Sequence, residues 1–414
     1  MSFPIEAIRA QFPALAVTDG GHHRAYLDAP GGTQVCRPAI TAMVAHLEEG
    51  TANAGGAFAT SVATDALSVA AHAAMADLLG GKPGEIAFGP NMTSLTLAVS
   101  RALAAQWSAG DEIVLSRLDH DANVAPWLRV AADRGVVVRW IEIDPEHGTL
   151  RTDRLPSLLG ARTRLVAVGG ASNALGTIND VAGIVRTVRA HGEALVFVDA
   201  VQSVPHEPTD VRALGCDFLA CSPYKFFGPH AGVLWGREEL MASLDAYKVR
   251  PASTTPPAVR FETGTPSFEA QAGVIGTIDY LDWLGGMLAP GANDRRSRLL
   301  AAMEGCTAYE RSLGERLLAG FQRLAGLSLF GPPTMDGRVP TFAFTLAGHH
   351  PRAVAEHLAR RGIFAWSGHF YAVEPLGQLG VMDGGGLVRV GLCHYNTADE
   401  VDQLLAALAE LGTA

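Results

Sequence analysis

Cysteine is scarce in this chain. Cys36, Cys216, Cys221, Cys306 and Cys393 are scattered through 414 residues, an odd number with no C-x-x-C pair. A disulfide framework or a structural zinc site is therefore not expected. Runs of lysine and arginine are also missing, and 32 basic against 42 acidic residues leave a formal charge of −10. That balance argues against a nucleic-acid partner. No uncharged stretch reaches the roughly 20 residues that a bilayer span needs, so no membrane partner is expected. The start, MSFPIEAIRAQFPAL, has no basic n-region and no long apolar core, as a signal peptide would. The default expectation is a soluble cytoplasmic protein. No G-x-G-x-x-G follows the first strand, which counts against a Rossmann-type nucleotide enzyme.

What the chain does have is apolar residues in quantity, 48% of the total, and a regular alternation from about residue 60. An apolar-periodic helix, SVATDALSVAAHAAMADLLGG, closes on Gly-Gly. EIAF, EIVL, VVVRWIEI, RLVAV, ALVFVD, DFLACS and AGVLWG then read as short apolar strands, with helices between most of them. Near-continuous apolar strands are those of a sheet buried on both faces, and strand–helix alternation makes it largely parallel and doubly wound. The pattern loosens near residues 245–295, where ASTTPPAV and LGGMLAPGAND are rich in turn residues. Long helical stretches and the strands TFAFTL and LVRVGL predict a smaller C-terminal α+β domain. The expected division is residues 1–25 packed on the small domain, a large domain over 26–280 and the small domain over 281–414.

Open parallel sheets bind ligands beyond the carboxyl ends of their strands. The residues just past each strand therefore carry the functional prediction. Asn91, Met92 and Thr93 open a helix after EIAF and offer backbone N–H groups and a hydroxyl to a phosphate. Taken alone, that motif is more simply an N-cap. His120 follows EIVLSR, Asn173 follows RLVAVGG, Asp199 and Gln202 end ALVFV, and Ser222 and Lys225 follow DFLAC. Each alone has a plain structural explanation, but together they place an anion cradle, a stacking ring, two amides, a carboxylate and a lysine at one edge. Pyridoxal phosphate needs this set: a lysine for its aldehyde and a carboxylate for its ring nitrogen. The stretch SPYKFFGPH would hold that lysine rigidly in a dry turn, where it can react unprotonated.

VDAVQSVPHEPTDVRALGCDFLACSPYKFFGPHAGVLWGR resembles the lysine segment of the class V aminotransferases, above all the cysteine desulfurase and selenocysteine lyase branch. DHDANVAPW, SNALGTIND, FETGTPSFE and RVGLCHYNT are similar to that branch in the same order. The resemblance implies fold type I, with a large domain, a small C-terminal domain and a homodimer whose active sites lie at the interface. It implies Lys225 as the Schiff-base lysine, Asp199 on the pyridine nitrogen, and Asn173 and Gln202 on the phenolic oxygen. His120 would stack on the ring. Thr93, Met92 and Ser222 would hold phosphate, with Thr265 reaching in from the partner subunit. Arg389 would clamp the α-carboxylate of an amino-acid substrate, for which a planar bidentate donor is suited. The helical stretch AQAGVIGTIDYLDWL is a candidate dimer interface.

Three positions depart from the family's pattern. Tyr224 stands where a histidine usually precedes the lysine, and a phenol can still bond phosphate. Asp121 replaces the second histidine of His-His-Ala-Asn. The loop that carries the desulfurase persulfide cysteine is matched by SGHFYA, which puts Tyr371 at the cysteine position and His369 nearby, both as candidate substrate contacts. Of the remaining cysteines, Cys216 and Cys221 flank or lie in a buried strand, Cys306 belongs to a surface helix, and Cys393 to a strand on Arg389's side. The expected activity is a C–S or C–Se lyase type of elimination without a protein persulfide. Epimerisation or transamination of an amino acid is the alternative, and a non-catalytic scaffold is the alternative of another class.

Overall fold

The computed structural model describes residues 3–412. Seven strands, β1 (Ile86–Gly89), β2 (Glu112–Ser116), β3 (Val137–Ile141), β4 (Thr163–Gly169), β5 (Leu195–Asp199), β6 (Phe218–Cys221) and β7 (Gly232–Gly236), form the large sheet. Their spatial order is β1-β7-β6-β5-β4-β2-β3, and only β7 runs against its neighbours. Alternate residues serve opposite faces, as a pleat of period two requires. Val114, Val166, Val198 and Leu219 pack with helices on one side; Ile113, Leu165, Phe197 and Phe218 pack with those on the other. Both faces of the central strands are covered, which is why they carry almost no polar side chains until their ends; the edge strand β3 leaves Val137 and Arg139 exposed.

The helix Ala59–Leu79 ends on Gly80 at φ 74°, a left-handed cap that suits glycine. By length and apolar content alone it could also cross a bilayer. Here its Ala71, Ala74 and Met75 are core residues and its His72 bonds Glu262 at 2.8 Å.

The expected loosening over 245–295 is only partly found. Residues Phe268–Leu288 form one continuous 21-residue helix. Its glycines are packing glycines rather than breakers. A Cβ on Gly276 would lie 2.4 Å from Pro38 O, and one on Gly285 would lie 1.9 Å from the Arg298 carbonyl oxygen. Neighbouring backbones approach where a side chain would stand. Most of AQAGVIGTIDYLDWL is therefore buried inside its own chain.

Four antiparallel strands, β8 (Leu327–Phe330), β9 (Thr341–Leu346), β10 (Trp366–Gly368) and β11 (Leu387–Gly391), make the small sheet in the order β8-β9-β11-β10. Phe342, Phe344, Val388 and Val390 pack it on the helices Arg295–Phe321 and Ala398–Gly412. The N-terminal segment touches both sheets' surroundings. Phe3 stacks on Tyr309 at 4.3 Å, Arg9 donates to Tyr395 O at 2.6 Å, and Phe12 meets Phe227 and Tyr280 edge-on. Ala25–Tyr26 pairs in parallel with Ile363–Phe364, and Gly391 N–H donates to Leu27 O at 2.8 Å. That pairing delivers Pro30 to the mouth of the large sheet.

Candidate active site

Beyond the carboxyl ends of β2, β4, β5 and β6 lies a cavity of about 810 Å³, roofed by residues of the small domain. Lys225 stands in the short turn 223–225 after β6. Phe226 and Phe227 are buried, and Phe227 takes φ 71°, a strained conformation for a residue with a side chain. Thr33 over-determines that turn: its Oγ1 accepts from Phe227 N–H at 2.8 Å and its N–H donates to Tyr224 O at 3.0 Å. Cys36 N–H adds a third bond to Phe227 O at 3.0 Å. The lysine is thus aimed by main chain, and its Nζ donates to Pro30 O at 2.5 Å. Burial, with help from the Arg389 charge, pulls its pKa down to about 7.

Asp199 is buried at the end of β5, its Oδ1 accepting from Val201 N–H at 3.0 Å, and burial raises its pKa to about 6. Gln202 Nε2 donates to the same Pro30 O at 2.8 Å. Asn173 donates to Phe370 O at 2.9 Å, and its Oδ1 is buried without a partner. His120 Nδ1 accepts from Ala122 N–H at 3.0 Å, which leaves any ring proton on Nε2. Burial and the cations Lys225 and Arg389 lower its pKa to about 4, so the ring is neutral. Met92 N–H donates to Ser222 Oγ at 3.2 Å, joining the first turn of the helix Met92–Ala104 to the serine; Thr93 lies beside them at the cavity wall. Arg389, on β11, is buried and donates to Asn173 O at 2.9 Å. The Phe370 ring covers its guanidinium at 4.3 Å, and its Nε has no partner. Burial lowers its pKa to about 9, which still leaves a cation at neutral pH.

Thirteen of the fifteen candidate residues, Asn91 and Asp121 among them, line this one cavity. Tyr224 does so while stacking on His230 at 4.7 Å. Tyr371 does so at 66% exposure. The two exceptions are Thr265, exposed and outside its own chain's cavity, and His369, which is also exposed. The latter does not face the site, because its Nδ1 accepts from Tyr371 N–H at 3.1 Å and closes the turn beneath it. Phe370 and Tyr371 both hold φ near 55°, and Asp121 N–H donates to Tyr371 O at 2.8 Å. Arg117 and Glu374 pair beside them. The loop is therefore clasped to the large domain at the point where the sequence comparison places it.

The class-V aminotransferase model matches residues 25–404. The chain belongs to that family. A cysteine desulfurase of Serratia proteamaculans is 32% identical over 99% of both chains, and an uncharacterized protein of Mycobacterium tuberculosis is 34% identical over the full length of both. Among solved structures, the apo cysteine desulfurase of Thermococcus onnurineus NA1 superposes with a TM-score of 0.88 at 27% identity, covering 100% of this chain and 99% of that one. The protein is a fold type I, pyridoxal-phosphate-dependent enzyme of the cysteine desulfurase-like group.

The cavity suits the cofactor on its own terms. Asn173 Oδ1 and Arg389 Nε are buried polar atoms still short of a partner. A buried carboxylate, a lysine with a lowered pKa and a helix N-terminus joined to a serine hydroxyl also converge there. Lys225, Asp199, Gln202, Asn173 and His120 would hold the ring; Met92, Thr93, Ser222 and Tyr224 would hold the phosphate.

The sequence reading missed Pro30, Asp119, Trp366, Phe370 and Arg129, all of which line the cavity. Two of its statements about cysteine are also corrected. Cys306 lies on the inner face of the helix Arg295–Phe321, not its surface, and Cys393 follows the end of β11 in a buried turn, bonded to Asn396 Oδ1 through its N–H at 2.9 Å.

Proposed function

We propose that the enzyme breaks the C–S or C–Se bond of cysteine or a relative and releases the sulfur or selenium without a protein persulfide. The observation that supports this is the position of the thiols. None of the five cysteines lines the cavity, and all are buried. Burial pushes the Cys36 thiol up to about 11 and Cys216 to about 12, and raises Cys221, Cys306 and Cys393 as well. Only a thiolate attacks sulfur, so a relay cysteine must be accessible and acidified. Tyr371 is accessible, but a phenol oxygen, unlike a thiolate, is a poor nucleophile toward sulfur.

Bound pyridoxal phosphate supplies an electron sink for negative charge at the substrate Cα. Lys225 Nζ would hold the cofactor through its aldehyde and, as a neutral amine at the cavity wall, is placed to take the proton from the substrate Cα. Asp199 would keep a proton on the ring nitrogen. Arg389 orients the α-carboxylate, and Phe370 keeps water off one face of its guanidinium. As the Cα proton is lost, its bonding pair forms a Cα=Cβ double bond and the Cβ–S pair leaves on sulfur, which departs as hydrosulfide. Mass spectrometry after a single turnover with cysteine, before any reductant, is expected to show no one-sulfur mass increase on the protein. Such an increase on a cysteine whose removal also stops catalysis would overturn the proposal. Pyruvate, ammonia and sulfide are the expected products, the first two from hydrolysis of the three-carbon enamine that elimination leaves; a keto acid that keeps its sulfur would point to transamination.

The active unit in this reading is a homodimer. Thr265 is exposed, outside its own cavity and available to a neighbour's phosphate. With AQAGVIGTIDYLDWL occupied as a core helix, the better candidate face is the helix Arg37–Glu48, where Ile40, Val44 and Leu47 are exposed at helical spacing, together with Val62 and Val69. Sedimentation of the active enzyme is expected to give a dimer, and Thr265→Ala to weaken cofactor retention. A fully active monomer would refute both.

A further inference from the structure

Asp119 was not among the residues the sequence singled out, and the mechanism above does not use it. It lies three residues beyond β2, buried, and lines the cavity. Oδ1 accepts from Gly169 N–H at 3.0 Å, and Oδ2 accepts from Asn123 Nδ2 at 2.7 Å. Asn123 is itself fixed, because its Oδ1 accepts from Trp127 Nε1 at 3.1 Å. A Cβ on Gly169 would stand 3.1 Å from Asp119 Oδ1, so the glycine at the end of β4 makes room for the approach. One N–H donor on each oxygen suits an ionised carboxylate. No cation pairs with Asp119 among the described residues.

The neighbour that matters is Asp199. Gly169 is its register partner across the β4–β5 pairing, and Gly170 N–H donates to Asp199 O at 2.7 Å. Asp119 is thus bonded to the residue directly beside Asp199, and both carboxylates line one cavity. Burial, and then Asp199's negative charge, raise the Asp119 pKa to about 7. The other charged groups that share the cavity are Lys225, Arg389, Asp121 and Arg129, and His120, the next residue, is neutral. A cation placed beside Asp199 would draw both carboxylates toward their ionised forms, because opposite charge stabilises each.

The geometry points to Asp119 as a positioning residue that holds a second negative charge beside Asp199 and so strengthens the site's hold on a protonated ring nitrogen. This rests on Asp199 being the ring-nitrogen partner. The charge acts through Asp199 and the shared cavity, and Asn123 and Gly169 keep it in place.

The test compares the affinity of the apoenzyme for pyridoxal phosphate with its affinity for the 1-deaza analogue, whose ring carries C–H in place of the nitrogen. Dissociation constants are read by fluorescence, so turnover is not involved. Taking the ratio of the two cancels general damage to the cavity. In Asp119→Asn the preference for pyridoxal phosphate is expected to fall roughly tenfold, equivalent to about 1.4 kcal/mol. In Asn123→Ala, which removes a hydrogen bond that favours the ionised form but leaves the carboxyl group in place, the ratio is expected to fall by a smaller factor, no more than about threefold. If Asp119→Asn does not fold, Asp119→Ser removes the same charge in less volume. An unchanged ratio in the neutral variant overturns the proposal, as does an equal fall in Asn123→Ala. Asp199→Asn separates the two ideas. If that variant keeps the wild-type preference, the assignment of Asp199 fails and the role of Asp119 falls with it. If Asp199→Asn loses the preference while Asp119→Asn keeps it, only Asp119's role is lost.

Discussion

Replacing Lys225 by alanine is expected to abolish turnover and the visible absorbance of lysine-bound cofactor. The chain has three lysines, Lys82, Lys225 and Lys248, and only Lys225 lines the cavity. Lys248 is committed elsewhere, donating to Ser253 O at 2.8 Å and Val259 O at 2.5 Å. No other amine can take over the aldehyde or the Cα proton. The pH dependence of cofactor uptake follows from the pKa near 7. The neutral amine is the nucleophile, so uptake is expected to rise from about pH 6 and level off above about pH 8, whereas an ordinary lysine, titrating near 10.4, would still be gaining at pH 9. Borohydride trapping followed by peptide mapping checks both statements. A Lys225→Ala protein that keeps a reducible cofactor linkage at wild-type level would end the cofactor assignment to this residue.

The parts of the site legible in the sequence were those that a parallel sheet places by rule. Asp199 ends β5, Asn173 and Ser222 follow the ends of β4 and β6, and an apolar strand announces its own end. The parts that were not legible depend on distant segments meeting. Pro30 reaches the cavity because residues 25–28 pair with residues 363–364 and 391, more than three hundred positions away. Phe370 reaches Arg389 through β10 and β11, and no local pattern marks the contact. Glycine was misleading in the helix Phe268–Leu288, where close backbone approach, not a turn, explains it. One signal was available and unused. Asp119, Asn123 and Trp127 are spaced by four, and a chain of side-chain bonds runs along that spacing. A polar residue recurring at such an interval beside a strand end marks a network, and a network marks a side chain that must not move.

Asp199→Ala is expected to lower kcat by roughly 10²–10³-fold, the range seen when one preorganised electrostatic partner is removed from a reacting centre. The cofactor can remain bound, because Lys225 and the cradle of Met92, Thr93 and Ser222 are untouched. What is lost is the counter-charge for the ring nitrogen. Without it the ring nitrogen of bound cofactor would be less readily protonated, and a neutral ring would be a poorer electron sink. The substitution also relieves a cost in the empty protein. Burial raises the Asp199 carboxyl to about 6, above its ordinary value, so ionising it opposes folding, and the penalty develops as pH rises through the ordinary carboxylate range toward 6. The apoprotein of Asp199→Ala is therefore expected to lose less stability at pH 8, relative to pH 5, than the wild type does. Loss of activity without loss of stability separates a catalytic charge from a structural one. Thermal melts of the two apoproteins, with kcat at saturating cofactor, make the comparison. A variant within about threefold of wild-type kcat, a barrier change of about 0.7 kcal/mol, would mean that Asp199 does not carry the ring-nitrogen proton.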